Sequence, residues 1–350
     1  MTISALDLST TDGEHNRGVI QAALDTSGAV TLPSRHVPVT GGLVMAAATR
    51  LAGSGRTVLA ASGACAQPVV HVLGTGVAIH DLTITLPVSE PGPHDGARFT
   101  AVTIGDYLYP ASPDWIDRVS LRRVRVQRPA QCPANSIAVM GAVRGLGMHD
   151  IRIDGGGTGV AVHWGAVASS VSEITGPSFH PHDLHIDGLR VRDAFEAFYL
   201  SSVHDVAVRD FHCDNVEIGF RLLPGDNADS YHEDPAGSQV SRRIVIRDGR
   251  IRWRGIYAIR VAGWGRSEVD RALRRLPYRD VSVAGCELTA MAPAASATPR
   301  PRAAVVLEYA DGVRFSDIAI RAGAEAAAAL IDGQPASLDD LRPTVPSRKR

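Results

Sequence analysis

Apolar side chains alternate with polar or small ones over short segments along much of the chain. Seven segments carry two apolar residues two positions apart. These pairs are Val102/Ile104, Ile137/Val139, Val160/Val162, Phe198/Leu200, Phe220/Leu222, Ile259/Val261 and Val305/Leu307. A period of two is that of a β-strand with one packed face and one outward face. The pattern predicts many short strands that each contribute an apolar pair to a core.

A second pattern precedes these segments and repeats. The dipeptide His-Asp opens a short apolar alternation at His80, His149, His182 and His204. Weaker copies begin at Asp117, Arg242, Arg279 and Asp311. The third residues of all eight copies align as Leu82, Val119, Ile151, Leu184, Val206, Ile244, Val281 and Val313. Their unequal spacing predicts stacked coils of two or three strands with loops of different lengths, and His-Asp at the same corner of four coils.

Segments with helical periodicity are few. The segment EHNRGVIQAALD near the N-terminus predicts a helix over about residues 12–27 that covers the first coil. Two further helix candidates are RSEVDRALRRL and the alanine-rich AGAEAAAALIDG. We expect one domain over residues 1–333 and a flexible tail over residues 334–350.

The N-terminal segment also resembles a known superfamily. Its capping helix leads into a strand that ends in Leu-Pro (residues 30–33) and then into the turn Leu-Ala-Gly-Ser-Gly (residues 51–55). This order is similar to the entry segment of the right-handed parallel β-helix, or pectate-lyase-like, superfamily. The resemblance implies an all-β fold, a solenoid of about 8 to 10 coils with an N-terminal capping helix. It leaves the reaction open, because the superfamily holds lyases, hydrolases, epimerases, transferases and binding spikes.

Charge and composition remove several classes of function. The formal net charge is −1, which supplies no field for nucleic acid or for an anionic membrane. No signal peptide is visible, so we expect a cytoplasmic protein. The cysteines form no CxxC pair and predict buried free thiols; they are Cys65, Cys132, Cys213 and Cys286. No cofactor motif is present, since no GK[ST] follows the Gly-Ser-Gly turn.

Chemistry is expected on the outward side of the second strand of each coil. The residues between the apolar pairs form the outward column Thr103, Ala138, Ala161, Tyr199, Arg221, Arg260 and Val306. The residues after the pairs form the column Gly105, Met140, His163, Ser201, Leu223, Ala262 and Glu308. Two arginines on adjacent coils repel each other unless an anion or a carboxylate lies between them. They therefore indicate an anionic substrate or, alternatively, a surface network in which Glu308, Asp226 or Glu233 neutralises them.

Three insertions are expected to form walls around this surface, at residues 165–181, 224–241 and 263–277. The predicted catalytic residues are Tyr199, Arg221, Arg260, His163 and His180. The predicted substrate-binding residues are Trp164, Ser201, Asp226, His232, Glu233, Trp264, Arg266 and Glu308. In this hypothesis the arginines steady an anion while Tyr199 or His163 moves a proton.

Family motifs narrow the reaction only slightly. The columns have no stacked aspartates for a calcium-dependent lyase, and no polygalacturonase-like GHG turn is present. Residues 180–183, His-Pro-His-Asp, are similar to the DPH[DE] motif of mannuronan C5-epimerases, but histidine replaces its first acid. A metal site is not favoured, because His182 and His185 point in opposite directions on a strand.

Three functions follow in order of preference. The first is an enzyme with carbohydrate-type lyase, epimerase or hydrolase chemistry on an anionic or polyhydroxylated substrate, a small molecule or an oligosaccharide. The second is an intracellular cyclase or isomerase of a biosynthetic intermediate. The third is a non-catalytic binding or assembly protein, which would carry an even column without a polar centre.

Overall fold

The computed structural model describes residues 6–61, 67–87, 99–129, 132–170, 173–223, 241–262, 276–293, 302–308, 310–322, 326–331 and 334–337. Within these ranges the helix α1 is Gly13–Ser27. The strands are β1 Ala29–Thr31, β2 His36–Val39, β3 Leu43–Met45, β4 Arg50–Ala61, β5 Val70–Val72, β6 Ala78–Thr85, β7 Val102–Gly105, β8 Leu108–Tyr109, β9 Val119–Gln127, β10 Ile137–Met140, β11 Arg144–His149, β12 Arg152–Asp154, β13 Thr158–His163, β14 Gly165–Ser170, β15 Glu173–Phe179, β16 His182–Asp187, β17 Arg190–Arg192, β18 Glu196–Ser201, β19 His204–Leu223, β20 Arg242–Ala262, β21 Leu276–Ala290, β22 Ala303–Glu308, β23 Ala310–Arg321, β24 Ala327–Ile331 and β25 Gln334–Ala336.

Each coil of the chain turns three times and lies directly on the coil before it. In β19 the first face is residues 206–209, the second face is residues 211–214 and the third face is residues 216–223. These faces pair in parallel with β16, β17 and β18 on one side and with β20 on the other. The predicted parallel β-helix is therefore confirmed. No helix in the described part of the chain has the length and apolar character needed to cross a membrane.

Left-handed backbone at fixed intervals makes the corners. In eight coils a residue with positive φ precedes the first face, at the first corner, and another follows five residues later, at the second corner. These pairs are Gly76/Asp81, Arg118/Arg123, Gly145/Asp150, Asp183/Gly188, Asp205/Asp210, Arg243/Asp248, Asp280/Gly285 and Gly312/Asp317. Glycine and aspartate adopt this conformation more readily than most residues. The four residues between two corners place two side chains inward and two outward.

The His-Asp dipeptides mark corners, as expected, but they do not mark the same corner. His182 pairs in register with His204, so these copies lie at the first corner. His80 pairs with Arg122, and Arg122 pairs with His149, so the other two copies lie at the second corner. The predicted alignment is therefore wrong before β16: Leu82 pairs with Val124, and Leu146, not Ile151, pairs with both Val119 and Leu184.

The same dipeptide serves both corners because its local chemistry is the same at each. Asp81 at the second corner pairs with His80 at 2.8 Å and receives two hydrogen bonds from Arg123 of the next coil, at 2.6 and 2.8 Å. At the first corner, His204 and Arg243 make the equivalent contacts to Asp205. The sequence alone shows that His-Asp lies at a corner, but it does not show whether this is the first or the second corner of the coil.

The inward side chains stack into a continuous apolar core. All seven predicted pairs point inward, and every one of their side chains is buried. Phe198 and Phe220 stack with centroids 4.3 Å apart, and Phe211 meets Phe220 edge-on at 5.0 Å. Gly249 lies over Phe211, where a Cβ atom would stand 2.1 Å from the ring. Burial of each such side chain stabilises the fold by about 1.5–3 kcal/mol.

The two ends of the stack are covered differently. At the N-terminal end α1 packs on β1 to β4 and begins at Asp12, whose side chain accepts a hydrogen bond from the His15 backbone at 2.9 Å. At the other end β24 pairs with β22 in parallel and with β25 in antiparallel orientation. The alanine-rich segment is thus a strand over 327–331 rather than a helix, because pairing with β22 overrides alanine's helix propensity. The strand β25 occupies the first residues of the predicted tail.

The described cysteines are buried and form no disulfide among themselves. Cys132, Cys213 and Cys286 form no disulfide, and Cys65 lies outside the described residues. Burial raises the pKa of the Cys286 thiol to about 11, and it raises that of Cys213 further. Cys213 and Cys286 are therefore protonated, apolar parts of the core at neutral pH.

The left-handed corner can be tested at Asp205, whose φ is 55°. We expect Asp205→Val to lower the free energy of unfolding by about 1–2 kcal/mol more than Asp205→Asn, because asparagine tolerates this conformation and a β-branched side chain does not. Urea unfolding of both variants measures the difference. The control is Ala207→Val on the same strand, which should be nearly neutral. Equal losses in the two Asp205 variants would contradict the corner's role.

The ion pair at the same corner predicts a pH dependence. The Arg243 guanidinium, helped by His204, holds the pKa of the Asp205 carboxyl below its usual range. Its stabilisation is present above the unfolded pKa of about 3.9 and is lost as the pH falls towards the folded value. The difference in melting temperature between the wild type and Asp205→Asn should therefore shrink between neutral pH and pH of about 3. A constant difference over that range would show that the charge contributes nothing.

Candidate functional site

The third face carries the predicted outward columns in the predicted register. Thr103 pairs with Ala138, Ala138 with Ala161, and Ala161 with Tyr199. Tyr199 then pairs with Arg221, and Arg221 pairs with Arg260. The second column is in register from Met140 through His163 and Ser201 to Leu223, and at its far end Ala262 pairs with Glu308. Tyr199, Arg221 and Arg260 therefore lie on three consecutive coils. These three residues, together with Glu196, Tyr257 and Glu308, are called the third-face polar patch.

Arg221 is held by a carboxylate from the preceding coil. Its Nε and Nη2 donate to the two oxygens of Glu196 at 2.7 and 2.8 Å, and the Thr158 hydroxyl donates to the same carboxylate at 3.1 Å. Glu196 has no exposed surface, whereas the Arg221 side chain is 30% exposed. The guanidinium also lies over the Tyr199 ring, 4.5 Å from its centroid. Arg221 thus contacts both a buried acid, Glu196, and a partly buried tyrosine, Tyr199.

Burial and charge act in opposite directions on this pair. Burial raises the pKa of the Glu196 carboxyl, and Arg221 together with Thr158 opposes that rise. Burial alone would lower the pKa of Arg221, but the attraction of Glu196 raises it overall. Arg221 therefore stays a cation, and the two parallel hydrogen bonds are those of a guanidinium with a carboxylate.

Arg260 is held by a carboxylate from the following coil. Its Nε donates to Glu308 at 3.1 Å and its Nη2 donates to the same oxygen. The Arg260 side chain is 14% exposed and that of Glu308 is 36% exposed. The guanidinium also lies 5.7 Å from the centroid of the Tyr257 ring. Glu308 is therefore the exposed acid of the patch, in contrast to the buried Glu196.

The two like charges are thus compensated within the protein. The alternative in which Glu308 neutralises an arginine describes Arg260, and the partner of Arg221 is Glu196. Sequence reasoning missed Glu196 and Tyr257, although both lie in the register position two residues before an apolar pair. Glu196 pairs in register with Thr158 and with Ile218. Only this pairing shows that the position borders the surface of Tyr199 and Arg221.

His163 and Trp164 belong to an aromatic cluster at the edge of the patch. The His163 Nδ1 lies 2.8 Å from the carbonyl oxygen of Trp164. The Tyr107 ring lies 4.9 Å from both rings, and Tyr199 lies 5.9 Å from His163. Trp164 is fully buried, so its ring is not available for the substrate binding predicted from the sequence. Ser201 is also fully buried, so neither side chain presents a surface to a substrate.

His180 lies at the end of an insertion that folds as a separate small sheet. The strands β14 and β15 pair in antiparallel orientation, and β8 adds to β14 in parallel. His180 is 7% exposed, and its Nε2 lies 3.1 Å from the Ser178 hydroxyl. The insertion predicted as a wall at residues 165–181 therefore forms regular β-structure. His180 is packed within this small sheet and is not displayed on its surface.

Five predicted binding residues lie outside the described residues: Asp226, His232, Glu233, Trp264 and Arg266. Their assignment stays a prediction. Within the ranges that the structure describes, no three histidine, cysteine or carboxylate side chains are grouped closely enough to hold a metal ion.

No protein-family model matches this sequence, and no curated protein matches it either. The fold matches solved structures. Endo-xylogalacturonan hydrolase from Aspergillus tubingensis aligns with a TM-score of 0.57 and 12% identity over 96% of this chain and 96% of that chain. A 1,3-α-1,4-β-D-galactose-4-sulfate-3,6-anhydro-D-galactose-2-sulfate 4 galactohydrolase aligns with a TM-score of 0.55 and 12% identity over 96% and 90% of the two chains.

A third match is the full-length tailspike protein 2 from Escherichia coli O157:H7 bacteriophage CAB120, with a TM-score of 0.50 and 10% identity. It covers 89% of this chain and 40% of that chain. All three are right-handed β-helix proteins, so the fold implied by the N-terminal resemblance is confirmed. At these identities the similarity extends to the fold and not to the reaction.

The buried pair predicts a large and specific loss of stability. We expect Arg221→Gln to lower the free energy of unfolding by about 3–5 kcal/mol at neutral pH, because it leaves the buried Glu196 carboxylate without a counter-charge. The penalty should shrink as the pH falls, since a carboxyl whose folded pKa is raised destabilises the fold only as the pH rises through that pKa. Urea unfolding at neutral and mildly acidic pH measures both effects.

The matched control is Arg260→Gln on the next coil. Its partner Glu308 is partly exposed, so the expected loss is only about 0–1 kcal/mol. Equal losses for the two variants would show that burial of Glu196 does not govern the pair.

Proposed function

We propose that this chain is an enzyme that acts on a carbohydrate at the third-face polar patch. The observation that carries the proposal is the concentration of arginine, tyrosine and carboxylate side chains on four consecutive coils. The column of Tyr199, Arg221 and Arg260 holds alanine on the two coils before them, at Ala138 and Ala161. Four coils span about 14 Å along the axis, which is longer than one monosaccharide.

The geometry favours recognition of hydroxyl groups. Both arginines already face a carboxylate, so a substrate anion would have to displace Glu308 from Arg260. An exposed carboxylate held by a guanidinium accepts hydrogen bonds from hydroxyls, and the guanidinium's remaining N–H groups donate to ring and hydroxyl oxygens. A polyhydroxylated substrate is therefore favoured over one recognised mainly through its carboxylates.

Tyr199 and Glu308 are the two groups suited to moving a proton. The Tyr199 phenol lies on the coil next to that of Arg221, whose guanidinium lies over its ring. Glu308 supplies a partly exposed carboxylate three coils further along. Arg221 and Arg260 position these groups and supply positive charge for a developing anion.

The fold is consistent with this class of substrate. Two of the structures that it resembles are described as glycan hydrolases, one of xylogalacturonan and one of a sulfated galactan. Lyase, epimerase and hydrolase chemistry each fit the patch, and they differ in the mass and unsaturation of their products. A cytoplasmic cyclase or isomerase of a biosynthetic intermediate would use the same surface and stays the alternative prediction.

The test is turnover of a panel of neutral and acidic oligosaccharides by the wild type, Tyr199→Phe and Glu308→Gln. We expect each variant to lose about 100-fold or more in kcat, the usual effect of removing a proton-transfer group. Mass spectrometry separates hydrolysis, elimination and epimerisation by their products. The control is Val44→Thr, at the far end of the same outward column.

Full activity in both Tyr199→Phe and Glu308→Gln would contradict the site. Turnover of a non-sugar intermediate without turnover of any oligosaccharide would favour the cyclase or isomerase. Binding without any turnover would favour a non-catalytic role.

A further inference from the structure

The second face of the coils carries a column of basic side chains that does not belong to the third-face polar patch. Register places Arg125 beside Arg152, Arg152 beside Arg190, Arg190 beside His212 and His212 beside Arg250. Neighbouring coils lie about 4.8 Å apart, so this column repeats a basic side chain at that interval. Like charges stacked at this distance repel one another unless something negative lies beside them.

Carboxylates from the neighbouring column compensate part of this charge. Asp154 accepts hydrogen bonds from Arg125 at 2.8 and 2.6 Å, and it pairs with Arg192 at 2.9 Å. Asp214 instead accepts a hydrogen bond from Arg252 at 2.8 Å. Arg190 pairs with Asp210 at 3.3 Å and Arg192 also pairs with Asp193 at 3.4 Å, so aspartates compensate the other arginines of this surface but not Arg152.

Arg152 is the cation without compensation. Its side chain is exposed, it lies between Arg125 and Arg190, and it makes no ion pair with any residue that the structure describes. It lines a groove of about 410 Å³ together with Arg125, Arg190, Arg192, Asp154 and Asp214. That volume is within the range of small-ligand sites, about 300–1,000 Å³.

The residues that line the groove favour some classes of anionic ligand over others. Among the described residues Arg152 is the one lining arginine without an ion pair, while Asp154 and Asp214 accept hydrogen bonds only from donors such as hydroxyls. No phenylalanine, tyrosine or tryptophan lines this groove, although single-stranded nucleic acids are held largely by stacking on such rings. A ligand with separated negative charges and many hydroxyls fits this mixture, and densely charged phosphodiesters meet repulsion from the aspartates.

We propose that this second-face groove binds an acidic oligosaccharide that runs along the axis of the coils. Its carboxylate or sulfate groups pair with Arg152 and its neighbours, and its hydroxyls donate to Asp154 and Asp214. The groove lies on a different face from Tyr199, Arg221 and Arg260. Binding here is therefore independent of the proposed catalytic function, and it holds a chain without reacting with it.

The experiment is titration of the full chain with fluorescently labelled tetragalacturonate, a carboxylated probe, and a κ-carrageenan tetrasaccharide, a probe that carries sulfates at separated positions and no carboxylate. We expect Arg152→Gln to weaken binding about tenfold, the effect of losing one charge-assisted hydrogen bond. Added salt should weaken binding of the wild type more than that of the variant. The better of the two probes identifies carboxylate or sulfate as the preferred group.

The matched control is Arg122→Gln, an exposed arginine on β9, the strand of Arg125, that does not line the groove. It should bind as the wild type does, and both variants should keep the wild-type unfolding midpoint. Tyr199→Phe and Glu308→Gln should also bind normally, which separates this groove from the catalytic proposal.

Equal binding by Arg152→Gln and the wild type, or binding of neither acidic probe, would overturn the proposal. Tighter binding of an oligothymidylate than of both sugars would overturn it in favour of a nucleic acid. Cellotetraose, the neutral probe, should show no binding that depends on Arg152.

Discussion

Left-handed corners at five-residue intervals are the constraint on which the molecule depends. Residues such as Asp205 and Asp210 end one face and begin the next at the same point of eight coils. Because the intervening face has a constant length, side chains of the same orientation stack from coil to coil. The apolar core, the third-face polar patch and the second-face groove are all columns produced by this repetition. Loops of unequal length occur only outside the five-residue interval between the first and the second corner.

Stacked columns bring like charges together, and the chain solves this with acids drawn from adjacent coils. Arg221 reaches back 25 residues to Glu196, and Arg260 reaches forward 48 residues to Glu308. Arg125 pairs with Asp154, 29 residues away. Each of these pairs joins two coils, so charge compensation also ties the stack together. The extent of burial separates a structural pair, such as that of Glu196, from one that a ligand can reach.

The fold and the outward columns were predictable because alternation is a local property. The pair Phe198/Leu200 alone determines that Tyr199 faces outward, and no distant residue changes this. The partner of Arg221 was not predictable, because it depends on which residues of another coil lie in register. The same reason explains the misplaced His-Asp corners and the strand at residues 327–331. The chemistry of a corner and the secondary-structure propensity of a segment can be read from the sequence. The register of one coil against the next is set by strand pairing, which involves distant residues.

The five-residue spacing also determines how such a chain can change length during evolution. The interval from Asp183 to Asp205 contains one whole coil of 22 residues. Duplicating or deleting a unit of this kind lengthens or shortens the molecule by one layer and leaves every column continuous. A single residue inserted between Asp205 and Asp210 would instead turn outward arginines into the core. Growth by whole coils is therefore permitted, and growth by single residues is confined to the loops.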